Sequence, residues 1–152
     1  MHISDQVQRS EYPILLQIWE SSVKATHHFL REGDVELFKN FIREKDVFSQ
    51  VTLLCNRNEH NSITGFMGIA GNSLEMLFID AAYRGQGIGK ILLLHAINNL
   101  QVTHVDVNEQ NEQAIKFYER YGFKTISRSE TDGMGKPYPI LHMELISKNA
   151  GL

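Results

Sequence analysis

The sequence predicts an α/β (α+β) fold: one mixed central sheet, antiparallel at first and partly parallel later, with helices on both faces. Three observations carry this. Two segments of helical period open the chain, and three short apolar runs joined by turns follow them. After that, strand and helix patterns alternate to the end. A length of 152 residues is that of one ordinary domain, so a single domain over 1–152 is expected.

Ile14, Leu15, Ile18, Trp19, Ser22 and Val23 recur at helical spacing, with Ser10 and Glu11 as a start signal. A second helix is expected over 34–43, with Asp34 as N-cap and Val35, Leu37, Phe38, Phe41 and Ile42 as its apolar side. Residues 51–55 then read as a strand and 56–61 as a polar hairpin-type turn. Strands follow at 63–70 and 74–79, separated by Gly71 and Asn72.

Beyond Ile79 the chain turns small and glycine-rich, and 88–100 then reads as a helix apolar on most sides and largely buried. A strand is expected at 102–107. Asn111 caps the next helix, whose Ala114, Phe117, Tyr118 and Tyr121 share one face, and Gly122 sits where a C-terminal cap glycine belongs. Residues 123–127 and 140–146 complete the strands, with a further short one possible at the N-terminus. A right-handed crossover through 88–100 sets strands 74–79 and 102–107 side by side in parallel.

Composition excludes more than it assigns. Fifteen Lys and Arg against eighteen Asp and Glu give a formal charge of -3. That balance argues against a nucleic-acid partner, because phosphate binding normally needs an excess of cations. Cys55 is the single cysteine, so the fold needs no internal disulfide. No apolar run reaches the ~20 residues that cross a bilayer, and no signal-peptide pattern opens the chain. A cytoplasmic protein without a membrane partner, monomeric or homodimeric, is the expectation.

The most informative stretch is Arg84-Gly85-Gln86-Gly87-Ile88-Gly89-Lys90, between a strand and a helix. Glycines let successive N–H groups face one point, and a helix N-terminus adds partial positive charge, so the turn suits an anion such as phosphate. A P-loop fails because Arg84 stands at its first glycine and Ile91 at its hydroxyl position. A dinucleotide fingerprint fails because Lys90 stands at its third glycine. An ordinary glycine-rich connection that binds nothing stays open on the loop alone.

What remains, Arg84-x-x-Gly87-x-Gly89, resembles the pyrophosphate motif of the GNAT superfamily of acyl-CoA N-acyltransferases. Leu77-Phe78-Ile79-Asp80 looks like that family's fourth strand. Asn108 to Asn111, then Ala114 and Phe117 to Phe123, look like its late strand–helix–strand segment. Ala25-Thr26-His27 and Gly135-Lys136-Pro137-Tyr138-Pro139 are similar to a small bacterial branch of the family. One departure is Ala81, where the family often places proline.

The resemblance implies a GNAT-like sheet splayed between its fourth and fifth strands, with acetyl-CoA as co-substrate and no metal. It implies that the pantetheine arm pairs with the backbone of Leu77, Phe78 and Ile79 as an added strand would. The pyrophosphate would meet the N–H groups of Gly85, Gln86, Gly87, Ile88, Gly89 and Lys90, with charge support from Arg84 and Lys90. Asn108, Asn111, Ala114 and Phe117 would line the arm or the acetyl end.

Tyr118 matches the family's acid, although its spacing with Phe117 and Tyr121 alone reads as core. Glu75 is the candidate base, weighed against a solvated strand-end carboxylate; His27 and a water chain are its rivals. Trp19, His27, Phe29 and Tyr138 are the acceptor-pocket candidates, while Asp80, Asp106 and Glu130 are placed to attract a cation. The expected activity is direct acetyl transfer in a ternary complex to a primary amine, on a small molecule or a peptide. A non-catalytic acyl-CoA sensor is the alternative, which an acceptor pocket closed by Trp19 or Tyr138 would favour. An interaction domain without ligand is a third class.

Overall fold

The computed structural model describes residues 2–146. Seven strands form one sheet in the order β1-β2-β3-β4-β5-β7-β6. In chain order they are β1 (His2–Ser4), β2 (Thr52–Arg57), β3 (Ile63–Ala70), β4 (Ser73–Ile79), β5 (His104–Asn108), β6 (Phe123–Ser129) and β7 (Ile140–Leu145). Four α-helices accompany them: α1 (Tyr12–Thr26), α2 (Asp34–Glu44), α3 (Ile88–Asn99) and α4 (Glu112–Arg120). Pairing is antiparallel for β1–β2, β2–β3, β5–β7 and β6–β7. The parallel pair expected from the crossover is β4–β5, in register at Ser73↔His104 and Leu74↔Val105.

Two compact units divide the chain. One holds the residues up to Ala70 with Glu75–Leu93, the other holds Gly71–Leu74 with the chain from Leu94 on. In the first, α1 buries Leu15, Leu16, Ile18, Trp19 and Val23 in a core shared with Phe48, Leu53, Cys55, Ile63 and Phe66. Packing of this apolar face, rather than propensity, keeps such a helix in place. Pro13 sits in the first turn of α1, where a missing N–H costs nothing. In the second unit Val105, Val107, Phe123 and Met143 are buried, as are Tyr118 and Tyr121 of α4.

Several boundaries differ from expectation, each for a local reason. The N-cap of α2 is Gly33, at φ 87, and Asp34 is the first helical residue. The second strand continues through Asn56 and Arg57, where the Asn56 amide group and the Arg57 guanidinium find partners. Asn56 donates to Thr64 Oγ1 at 2.7 Å, and Arg57 forks onto Glu11 at 2.9 and 3.0 Å. This ion pair holds the Glu11 carboxyl below its ordinary range.

β5 starts at His104 rather than Val102, because the Val102 N–H still bonds the Ala96 carbonyl at the end of α3. β6 runs on to Ser129, in register with Ile140. Helix α3 is less enclosed than its composition suggests: Leu92, Leu93, Ala96 and Ile97 are buried, while Lys90, Ile91, Asn98 and Asn99 are exposed. Two 3-10 turns, Val47–Gln50 and Ala81–Tyr83, fall outside the expected elements. No helix among the described residues is long and apolar enough to cross a membrane.

Candidate active site

In the first unit the site begins where β4 ends. The Asp80 N–H donates to the Thr64 carbonyl at 2.9 Å, and its carboxylate caps the following 3-10 turn by accepting from Ala82 N–H at 3.0 Å. Ser21 of α1 ties the same turn down. Its hydroxyl donates to Asp80 Oδ1 at 3.2 Å and accepts from Ala81 N–H at 3.0 Å. Here the departure at Ala81 gains a physical meaning, because proline would lack the N–H that Ser21 receives.

The chain then passes through Arg84 into Gly85 at φ 77 and Gly87 at φ 81. Both are left-handed conformations that other residues enter at a cost of roughly 1–2 kcal/mol. A Cβ added at either glycine would meet nothing within 4 Å, so the loop is open on these sides. The Gly87 carbonyl accepts from Ile91 N–H at 3.0 Å, which makes the following residues the first turn of α3. N–H groups in a first turn have no acceptor within the helix, and they face outward with the positive end of its dipole. Ile88 is buried and anchors this turn, while Arg84, Gly85, Gln86, Gly87 and Lys90 are exposed; Gly89 is intermediate. An exposed arc of backbone donors beside two cations fits a diphosphate.

A glycine outside the Arg84-x-x-Gly87-x-Gly89 motif sets the loop's approach to the sheet. At Gly65 an added Cβ would lie 2.6 Å from Ile79 Cδ1 and 3.2 Å from both Ile88 Cγ2 and the Phe78 carbonyl oxygen. Only a residue without a side chain lets the end of β4 and the start of α3 settle over β3 here.

Among the other candidates in this unit, Leu77, Phe78 and Ile79 are half-buried and Glu75 is exposed. The Phe78 ring lies 5.9 Å from that of Phe66. Trp19 belongs to the core cluster under α1. His27 closes the C-terminus of α1, with Nδ1 2.7 Å from Thr26 Oγ1 and its ring 5.2 Å from Phe29. Burial, with a smaller contribution from His28, lowers its pKa to about 4. Such a ring is neutral at working pH and a weaker proton acceptor than an ordinary imidazole.

In the second unit the candidates gather around α4. Asn111 caps that helix by accepting from Ala114 N–H at 3.2 Å, and Asn108 Oδ1 accepts from Gln110 N–H at 3.0 Å. Both carboxamide oxygens thus serve the turn, and what each side chain can offer a ligand is its NH2 group. Tyr118 is buried, with its ring edge-on to Phe117 at 5.2 Å and Phe123 at 5.8 Å. Burial alone raises its phenol pKa well above the ordinary value, so the hydroxyl holds its proton at neutral pH. Tyr138 is also buried, in a loop where Asp132 Oδ1 accepts from the N–H groups of Met134 and Lys136 at 2.9 Å.

Sequence reasoning missed Ser21 and Gly65, and saw Asp80 as an attractor for a cation rather than a cap. Aspartate before two alanines is a recognisable capping signal. Nothing in the sequence pairs it with a serine 59 residues away. Among the described residues no group of three His, Cys, Asp or Glu side chains is arranged to hold a metal.

A family model described as an acetyltransferase (GNAT) domain matches residues 23–146. The peptidyl-lysine N-acetyltransferase YjaB of Salmonella typhimurium is 43% identical over 133 residues, covering 85% of this chain and 88% of that protein. Its Escherichia coli namesake is 40% identical over 136 residues, covering 87% and 88%. The solution structure of apo-form YjaB from Escherichia coli superposes with a TM-score of 0.86 at 38% identity, covering 97% of this chain and 99% of that one.

Proposed function

The chain belongs to the GNAT acetyltransferase family and moves an acetyl group from acetyl-CoA to an amine; on that premise we propose that the acceptor is a lysine side chain of a protein or peptide. The names of the two relatives support the lysine, since both are peptidyl-lysine N-acetyltransferases alike over most of their length. The observation that carries the coenzyme site is the open backbone arc of residues 84–90, with Gly85 and Gly87 at positive φ and clear of neighbours.

In this reading the whole chain works as one acetyltransferase domain. The N–H groups from Gly85 to Lys90 hold the coenzyme's pyrophosphate, helped by the charges of Arg84 and Lys90. Leu77, Phe78 and Ile79 offer backbone groups to the pantetheine amides, and the N–H near Phe78 stabilises the oxyanion. Asn108 and Asn111 donate from their carboxamides, while Ala114 and Phe117 line the arm. Tyr118 protonates the departing thiolate, a role its retained proton suits. Glu75 is exposed on β4 and accepts the amine proton directly or through water. His27, Phe29 and Tyr138 border the acceptor, whereas burial in the core limits Trp19 to shaping that side from beneath.

Direct attack is favoured over a covalent cysteine intermediate. Cys55 is fully buried in β2, and burial raises its thiol pKa, so the nucleophilic thiolate is suppressed. A lone reduced thiol also suits the cytoplasm, where lysine targets and acetyl-CoA occur together. A panel of lysine peptides incubated with acetyl-CoA tests the acceptor. Free thiol release with an acetyl group on the lysine ε-nitrogen is expected; release with small polyamines alone would refute the peptide acceptor.

A further inference from the structure

The second unit carries an ordered polar chain on one face of its sheet. The register pairs Asp106 with His142 across β5 and β7, and His142 with Ser127 across β7 and β6. Side chains alternate along a strand, so His142 and Asp106 point away from the buried neighbours Met143, Val105 and Val107. His142 Nδ1 lies 2.7 Å from Asp106 Oδ1, and His142 Nε2 lies 2.7 Å from Ser129 Oγ. The side chains of His142 and Asp106 are 32% and 58% exposed, so the chain of bonds opens to solvent.

Donor and acceptor roles follow from the chemistry. An ionised carboxylate only accepts, so Nδ1 carries the hydrogen toward Asp106. The Nε2 of the neutral ring then holds the lone pair, and the Ser129 hydroxyl donates to it. A serine hydroxyl aimed at an imidazole that a carboxylate orients is the arrangement by which a proton leaves a reacting group. Its place is also defined. Ser129 and Asn108 both pair with Ile140, so Ser129 stands level with the end of β5, where the chain turns into Asn111 and α4. Glu144, 3.7 Å from His104, adds a second carboxylate two residues along β7 from His142.

We propose that Ser129, His142 and Asp106 form a proton relay for a lysine acceptor, with Ser129 and His142 as catalytic residues and Asp106 as the positioning residue. This rests on the acetyltransferase reading. At neutral pH only roughly one lysine amine in a few thousand is free of its proton. In the relay an N–H bond of the ammonium breaks as its proton passes to Ser129 Oγ, while the serine's own proton moves to His142 Nε2. Asp106 stabilises the imidazolium, and the freed lone pair attacks the thioester carbon. The attacking nitrogen, now cationic, gives its second proton to Glu75 or water as the C–S bond breaks. Tyr118 protonates the thiolate and is reprotonated from solvent, and the imidazolium returns its own proton to solvent.

The test compares two acceptors with the full-length chain: a lysine peptide, and hydroxylamine, which is already neutral at neutral pH. Ser129→Ala, His142→Gln and Asp106→Asn are each measured for kcat/KM with both acceptors, and for the thermal shift produced by CoA. For the lysine peptide, His142→Gln is expected to lose on the order of 10²-fold or more in kcat/KM. Ser129→Ala and Asp106→Asn follow in the same direction, while hydroxylamine transfer and the CoA shift stay at wild-type values. Equal losses with both acceptors, or full activity with lysine, overturn the relay. An acetyl ester on Ser129 during turnover overturns it in favour of a covalent route. A wild-type chain that releases no thiol with either acceptor brings down the acetyltransferase reading itself.

Discussion

At residues 84–90 the chain exposes its backbone and keeps side chains away, with two glycines at positive φ and open space where a Cβ would stand. Helix α4 does the reverse, sinking one phenol among aromatic rings at 5.2 and 5.8 Å. In the proposed reading the loop works through groups every residue owns, so its specificity would lie in conformation. The helix, in the same reading, works through one atom that only tyrosine supplies, so its specificity would lie in identity. Substitutions should therefore fail differently: conformation and charge decide at the loop, and a single oxygen decides on the helix.

The largest expected effect is at Gly87. A Gly87→Glu variant should fold, because the new side chain points into open space, yet its charge and the strain at φ 81 should abolish the thermal shift given by CoA. Retained binding would mean that the loop does not hold the pyrophosphate. Next comes Tyr118→Phe, expected to lower kcat ~10²–10⁴-fold while leaving the KM for acetyl-CoA nearly unchanged. Unaltered turnover would reduce Tyr118 to a core aromatic.

Gly65→Ala sharpens the contrast, because it acts on the loop without touching it. The added methyl crowds Ile79 and Ile88, and overpacking of this kind costs about 1–3 kcal/mol. A lowered Tm with weakened CoA binding is expected, and wild-type values for both would show that the close approach is not needed.

The smallest effect concerns pH. Unfolded His27 titrates near the ordinary imidazole value of 6.5 and the folded ring at about 4. Between these values the unfolded chain binds more protons, so stability falls as pH drops through that window. His27→Asn should flatten this part of the stability profile measured by denaturant unfolding. An unchanged slope would locate the acid sensitivity in other groups.

The contrast also explains what the sequence disclosed. The glycine-rich turn at 84–90 was legible because the left-handed conformations of Gly85 and Gly87 favour glycine over other residues. The strands over 63–70 and the cap at Asn111 were readable for similar reasons, since alternation and capping are local rules. Tyr118 was ambiguous because core and catalysis both place aromatics at helical spacing. Ser21, Gly65 and the Ser129–His142–Asp106 chain were hidden, because each depends on partners brought near by register and packing rather than by neighbouring positions. Asn56 and Arg57 read as turn residues in sequence, because their partners, Thr64 for Asn56 Nδ2 and Glu11 for the Arg57 guanidinium, are brought near only by pairing and packing.

The most direct measurement is thiol release from acetyl-CoA by the wild-type chain with a lysine peptide, set beside Gly87→Glu under the same conditions. The expected result is release with acetylation of the lysine ε-nitrogen by the wild type and none by the variant. Equal release from both, or none from the wild type at saturating coenzyme, would contradict an acetyltransferase whose coenzyme is held by the loop at residues 84–90.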